Sequence, residues 1–424
     1  MANSRILYLG IDFGTSGARA IVIDATGAVQ SEAQWAFAAT PLAELTAIWQ
    51  STLYRLIEQI PASIRQDITR IAIDGTSATV LLCDRQGTPI TEPLLYNDGR
   101  GIAMMEQLKQ IAPANSVVLS ATSSLAKLLW LIHHTPGTLE NYYFLHQADW
   151  LAFLLHGKLG ISDYHNALKL GYDPENLEYP SWMKQLPLTP RLPKVLAPGT
   201  PVGDVTPEIA SRLGLRPDCQ VCTGTTDSIA AFLASGAKHP GEAVTSLGST
   251  LVLKLLSHTR VEDAGYGIYS HRLGNLWLTG GASNTGGAVL RQFFSDRELE
   301  ELSHQINPEQ ESPLDYYPLL KRGDRFPIND PHLSPKLEPQ PANPVEFLHG
   351  LLESIARIEA RGYQLLQQLG ATPLTCVYTA GGGAKNTTWT AIRQRQLQVA
   401  IQPPRHIEAA YGTALFVRNP IKDS

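Results

Sequence analysis

The sequence predicts an α/β protein built from two similar lobes, and three observations carry that expectation. Strand-like apolar runs alternate with segments of helical spacing along most of the chain. A strand, a hydroxyl-rich turn and a strand occupy residues 6–12, 14–17 and 18–24, and the same pattern restarts at 243–247, 248–250 and 251–256. Between the two, Gly236 and the Pro240-Gly241 pair interrupt the chain, which places a domain boundary near residues 224–240.

In order along the chain, strands at 6–12, 18–24 and 29–37 form a hairpin meander. A helix follows over 41–60, where Leu42, Leu45, Ile48, Trp49, Leu53, Leu56 and Ile57 recur on one face and Pro41 suits a first turn. The strand at 68–74 ends in Ile73-Asp74-Gly75-Thr76-Ser77, an echo of the first strand end. Helices are expected at 125–133, 147–156 and 209–213, and the strand-like run 220–223 leads through Gly224-Thr225-Thr226-Asp227 into an Ala-rich helix, 228–235. Residues 308–344 hold nine of the 29 prolines, which predicts an irregular, semi-rigid surface loop rather than a third domain. A long helix over 345–369 stops at Gly370. The chain closes with a strand at 376–379, a glycine loop at 380–383, a helix at 387–397, a short strand at 399–401 and a helix at 407–418.

Composition excludes several classes. A length of 424 residues suits two or three domains at ~150 residues each. With 43% hydrophobic and 17% charged residues the chain is expected to fold, and it lacks the ~18 uninterrupted apolar residues of a membrane span. A net charge of −5 without a basic block offers no footprint for nucleic acid. Asp12 and Gly14 interrupt the apolar run that follows Met1–Arg5, which predicts no export. Cys83, Cys219, Cys222 and Cys376 are too few to staple such a chain, which favours a reducing, cytoplasmic compartment. Cys219 and Cys222 form a CxxC without a second pair or a His cluster, so they read as core thiols rather than zinc ligands.

Three constellations carry chemistry. Asp12 stands beside the turn Gly14-Thr15-Ser16-Gly17, whose N–H groups and hydroxyls suit phosphate oxygens, and Gly248-Ser249-Thr250 repeats that turn in the second lobe. Ala380-Gly-Gly-Gly-Ala-Lys-Asn386, between a strand and a helix, lets backbone approach a nucleotide closely, and the pairs Gly280-Gly281 and Gly286-Gly287 add to that expectation. Asp227 ends a strand and opens a helix, where it is either a helix cap or a general base for a sugar hydroxyl, and the residues alone leave both open.

The stretch Leu9-Gly-Ile-Asp-Phe-Gly-Thr-Ser-Gly-Ala-Arg-Ala20, with Asp24 and Gly27, resembles the first phosphate motif of the FGGY carbohydrate kinases. Leu192-Pro193, Gly199-Thr-Pro-Val-Gly203, Leu213-Gly-Leu215, Val221 and Gly224-Thr-Thr-Asp227 resemble that family's approach to its catalytic aspartate. Ser246–Thr250 is similar to its second phosphate motif, Pro318 to Pro327 with Gly323 and Arg325 to a family loop, and Ala380–Asn386 to its adenosine motif. The resemblance implies a two-lobed, actin-like (ribonuclease H-like) ATPase fold with ATP and sugar meeting in an interlobe cleft. It divides the chain into a sugar- and phosphate-binding lobe, 1–227, and a nucleotide-binding lobe, 228–404, with a helix at about 405–424 packing back on the first.

Carried residue by residue, the resemblance makes Asp227 the base and Asp12 the organiser of Mg²⁺ and the transferred phosphate. It places Gly14, Thr15, Ser16 and Arg19, with Gly248, Ser249 and Thr250, at the ATP phosphates. Gly382, Gly383, Asn386 and Trp389 fall at adenosine. Asp12, Ser77, Asp98 and Asp227 are the sugar candidates, although Ser77 equally closes a turn and Asn97-Asp98-Gly99 equally forms one with Arg100 as partner. Tyr96-Asn-Asp-Gly-Arg100 stands where family members commonly have Trp-x-Asp-x-Arg, and the chain is short for the family. These traits resemble its compact plant and cyanobacterial D-ribulose kinase branch. The expected reaction is ATP-dependent phosphorylation of a ketopentose at its terminal hydroxyl, D-ribulose first, with D-xylulose and glycerol as rivals. An ATPase or sensor on the same fold is the alternative class, opposed by the presence of both Asp12 and Asp227; monomer and homodimer are both open.

Overall fold

The structure, a computed structural model, describes residues 5–137, 139–188 and 190–419. Residues 1–4, at the expected unexported terminus, and 420–424, in the expected closing helix, lie outside the described residues. The chain divides into two units, one running to Ala234 and resuming at Glu408, the other Ser235–Ile407.

The strands of the first unit are β1 (Leu7–Phe13), β2 (Gly17–Asp24), β3 (Val29–Ala36), β4 (Ile68–Gly75), β5 (Val80–Cys83) and β6 (Tyr143–His146). They continue with β7 (Ile161–Asp163), β8 (Lys194–Leu196), β9 (Pro201–Asp204), β10 (Gln220–Cys222) and β11 (Thr225–Thr226). The main sheet has the order β3-β2-β1-β4-β10-β9, with β11 also on β4; β1, β4, β10 and β11 run parallel, β2 and β3 antiparallel to their neighbours. The near-continuous apolar runs of β1 and β4 follow from cover on both faces. Leu53, Leu56 and Ile57 of helix Leu42–Gln59 pack in one core with Leu9, Ile11 and Ile71. Ala410 and Ala414 of helix Ala409–Arg418 pack with Ile21, Ile23 and Ala234.

That second cluster moves the boundary. Helix Asp227–Ala234 packs on helix Ala409–Arg418 so closely that a Cβ on Gly412 would stand 1.8 Å from the Ala230 carbonyl oxygen. The helix expected to open the second lobe therefore belongs to the first, and the chain divides after Ala234 rather than after 227.

The second unit contains β12 (Glu242–Leu247), β13 (Leu251–Ser257), β14 (Tyr269–Leu273), β15 (Leu276–Ser283), β16 (Cys376–Ala380) and β17 (Ala400–Gln402). Its sheet order is β14-β15-β13-β12-β16-β17. An antiparallel meander joined to parallel strands thus occurs in both units, with β12 in the place of β1 and β16 in that of β4. Helix Pro344–Gln368 buries Leu348, Leu351, Leu352 and Ile355 in this unit's core.

Two expectations change here. Residues 308–344 are irregular, but they supply Tyr316, Leu319 and Phe326 to the buried interior, so the segment is partly core rather than a surface loop. Gly280 and Gly281 lie inside β15, where Phe326 packs over Gly281, and do not belong to a nucleotide turn. Cys219 and Cys222 are free and buried, and burial pushes both thiols up, as core cysteines require.

Candidate active site

In the first unit, β1, β4 and β11 end side by side. Asp12 pairs in register with Asp74, and Asp74 with Thr225, so the carboxyl ends of three parallel strands converge where open α/β sheets bind ligands. Asp227 follows β11 directly as the first residue of its helix, half-buried, with Oδ1 accepting from the Ser228 N–H at 2.7 Å.

Asp12 Oδ1 and Asp74 Oδ1 are both buried and lack a hydrogen-bond partner when both groups are ionised. Burial pushes the Asp74 carboxyl far above the usual range, and the charges of Asp12 and Asp227 add to that, while the Thr413 hydroxyl bonded to Asp74 Oδ2 opposes it. Burial also raises Asp12, against its hydrogen bond to Asp74 and the charge of Arg19. Asp74, the carboxyl raised further, is therefore the one that holds the proton of the pair, and it hydrogen-bonds Asp12.

The turn between β1 and β2 is closed by Gly14 N–H donating to the Gly17 carbonyl at 3.0 Å, which leaves Thr15 and Ser16 exposed. Arg19 sits opposite Asp12 in register, donates to Gln34 at 3.0 Å and pairs with Glu408. Beyond β4, Thr76 N–H donates to Gln147 Oε1 at 3.1 Å and the Thr76 and Thr79 hydroxyls bond each other at 2.5 Å. Ser77 is the one residue of the 76–79 turn that is not buried. Asp98 is differently engaged: Arg100 donates to its carboxylate from Nε at 2.9 and 3.1 Å and from Nη2 at 2.6 Å, while the guanidinium lies over the Trp130 ring. The turn alternative for Asp98 is therefore the geometry present.

The second unit holds a cavity of about 720 Å³, within the range of small-ligand sites. Gly248, Ser249, Gly382, Gly383, Asn386 and Trp389 line it, and Thr250 does not. Gly287 N–H donates to the Gly248 carbonyl at 2.9 Å, and a Cβ on Gly287 would lie 2.7 Å from that oxygen, so only glycine permits the approach. Asn386 caps helix Thr387–Leu397 by accepting from Trp389 N–H at 2.9 Å, and its amide donates to Ser303 Oγ at 2.8 Å. Trp389 is 2% exposed with Nε1 donating to the Leu352 carbonyl, so it is core and cavity wall at once. Behind the cavity, buried Arg393 donates to Glu359 at 2.6 and 2.7 Å and to Thr379 at 2.8 Å, and Thr245 donates to Glu359 at 2.5 Å.

Sequence reasoning missed Asp74, Arg19's partner Glu408, and Ser303 with Arg291 in the cavity wall. Only Asp74 left a signal, the echo of Ile11-Asp12 in Ile73-Asp74. Ser124, His146 and Asp149 form a hydroxyl–imidazole–carboxylate chain at 3.1 and 3.0 Å, but Ser124 and His146 are fully buried and no substrate reaches them.

The FGGY family of carbohydrate kinases, N-terminal domain, matches residues 7–234. A xylulose kinase of Staphylococcus epidermidis is 24% identical over 445 residues, covering 97% of this chain and 88% of that one. Among solved structures, a xylulose kinase from Brucella ovis matches with a TM-score of 0.85 at 21% identity, over 98% of this chain and 91% of that one. Plasmodium falciparum glycerol kinase with ADP matches at 0.83 and 17% identity, over 99% and 91%. The two structural likenesses establish the fold, a two-lobed actin-like ATPase. Fold and family match define an ATP-dependent phosphotransferase that acts on a sugar and uses Mg²⁺. The chain belongs to the FGGY family of carbohydrate kinases. Among the described residues, no helix is long and apolar enough to cross a membrane.

Proposed function

We propose that this kinase phosphorylates the terminal hydroxyl of a ketopentose, and that D-ribulose, converted to D-ribulose 5-phosphate, is the acceptor. The observation that carries the chemistry is the position of Asp227, half-buried at the strand edge that also bears the Asp12–Asp74 pair. There Asp227 takes the proton of the acceptor hydroxyl while that oxygen bonds the γ-phosphorus and the bond to the ADP leaving oxygen breaks.

Gly14, Thr15, Ser16 and Arg19 in one unit, and Gly248, Ser249 and Thr250 in the other, are assigned to the phosphates; the exposed turn hydroxyls support this. Gly382, Gly383, Asn386 and Trp389 are assigned to adenosine on the strength of the cavity they line. Ser77 is assigned to the sugar directly. Asp98, whose carboxylate Arg100 holds, is not assigned a sugar contact.

Among the described residues no group of three acidic, His or Cys side chains forms a metal cage. That suits Mg²⁺ in kinases, which takes one or two carboxylates and completes its shell with phosphates and water. The unpartnered Oδ1 of Asp12 is the fitting ligand. When bound with the nucleotide, Mg²⁺ neutralises phosphate charge. The free thiols suit a cytoplasmic location.

The test is ADP release with Mg·ATP and D-ribulose, L-ribulose, D-xylulose, glycerol or no acceptor, with the phosphorylated product weighed by mass spectrometry. Selectivity for D-ribulose is expected. Selectivity for D-xylulose, which the Staphylococcus epidermidis relative's name favours, would replace the acceptor but keep the mechanism. Equal ADP release without sugar phosphate would leave an ATPase.

A further inference from the structure

Lys127 is fully buried, yet among the described residues no carboxylate pairs with its ammonium directly. It stands on helix Ser124–His134, whose start is fixed by Ser123 accepting from Ala126 N–H at 3.1 Å. Its Nζ donates to the carbonyls of Ala78 at 2.8 Å, Leu95 at 2.6 Å and Tyr96 at 3.4 Å, which uses all three protons of an ammonium. Ala78 follows Ser77 in the turn beyond β4, and Leu95 and Tyr96 lead into Asp98.

Other bonds hold the far ends of these two segments. Val80 and Leu94 exchange N–H···O=C bonds at 3.0 and 2.9 Å, and Gln147 holds Thr76. The middle of the turn is strained, because Ala78 has φ +64°, a left-handed conformation that a residue with a Cβ rarely adopts. Such a conformation persists only where surrounding bonds over-determine it, and the bond to the Ala78 carbonyl comes from Lys127.

We propose that Lys127 is a positioning residue for the sugar acceptor, its ammonium bracing the 76–79 turn against the 94–98 loop and so fixing where the Ser77 hydroxyl stands. This rests on the assignment of Ser77 to the acceptor site. Burial lowers the Lys127 ammonium to about 7; the charge of Asp98 opposes that, and Lys169 and Arg100 reinforce it. As pH rises through about 7 the side chain keeps two of its three protons, so the brace weakens on the alkaline side.

The experiment uses the full chain with K127M, which keeps an unbranched chain one atom shorter and removes the donors, and K127R, which keeps charge and donors. With the best acceptor of the sugar panel, K127M should raise the acceptor KM about tenfold or more while the ATP Kd stays within about twofold, and K127R should recover part of the loss. The wild type's acceptor KM should rise above pH 7 while its ATP Kd stays level. An unchanged acceptor KM in K127M, or an ATP Kd weakened as much as the acceptor KM, would overturn the proposal. Amide hydrogen exchange supplies a readout free of activity: K127M should speed exchange in 76–80 and 94–98 and leave β12 and β13 as they were. Unchanged exchange there overturns the brace even if no sugar is phosphorylated, and faster exchange with no sugar product overturns only the acceptor assignment. If K127M does not fold, K127Q, which leaves a single amide in place of the ammonium, is read by the same KM, Kd and exchange criteria.

Discussion

The two units end their central parallel strands in different chemistry. In the first, β1 and β4 present Asp12 beside Asp74; in the second, the matching strands β12 and β16 present Ser246 beside Ala380 in the same register. One topology therefore supplies a carboxylate cluster in one copy and a small-residue, glycine-flanked ledge in the other. The buried charges differ in the same sense. The first unit gathers acids at a strand edge that reaches solvent through half-buried Asp12 and Asp227, whereas the second encloses Glu359 in a bidentate pair with Arg393 and Glu353 in a pair with Arg395, which makes both structural. A repeated fold decides where a ligand comes, and the residue at each strand end decides what happens to it.

If that division holds, perturbing the first unit should stop chemistry and perturbing the second should affect nucleotide binding or folding. The largest expected effect is Asp227→Asn, which should lower sugar-dependent turnover by about 10²–10⁴-fold with ATP binding nearly intact. Steady-state kinetics beside nucleotide titration checks it, and unchanged turnover would remove the base. Next, Arg393→Met leaves Glu359 buried without its partner and should cost about 3–5 kcal/mol in urea unfolding. A mild loss would show the pair to be dispensable.

Gly287→Val pushes a side chain against the Gly248 carbonyl, an overpacking of about 1–3 kcal/mol. Urea unfolding should show a loss of that size, with the acceptor KM unmoved. A shift in the acceptor KM alone would break the division of labour between the units.

The smallest effect concerns acid. Burial pushes the Glu353 carboxyl up, but the nearby His349 ring and hydrogen bonds from Arg395 and Gln396 outweigh it and bring it from 4.5 to about 2. Its folded value lies below its unfolded one, so its stabilisation is complete above about 4.5 and fades as pH falls towards about 2. Glu353→Gln should flatten the loss of stability in that window, followed by urea midpoints between pH 2 and 5. An unchanged slope would assign the acid sensitivity elsewhere.

Elements with a strong local signal were legible. Helices Gln147–His156 and Thr387–Leu397 have the bounds their periodicity predicts, and the two strand–turn–strand units stand where turn chemistry put them. The pairings of β5 with β6 and of β14 with β15 are not legible, because β5, β6 and β14, at four or five residues, carry too few alternations to declare a period. The proline-rich segment 308–344 is irregular, as its composition predicts, but not superficial, since irregular backbone reports nothing about where Phe326 points.

Composition, strand and helix periods and turn residues are properties of neighbours in the chain. By themselves they determined the α/β class, the repeated half and the motifs that carry Asp12, Asp227, Gly248 and Asn386. Contacts across long separations decided the rest. The Thr413 bond to Asp74 spans 339 residues and the Lys127 bond to Ala78 spans 49, and no local pattern encodes either. Tertiary structure alone turned Asp74 into a proton holder and Lys127 into a brace, because both roles depend on burial and on charges brought near by folding.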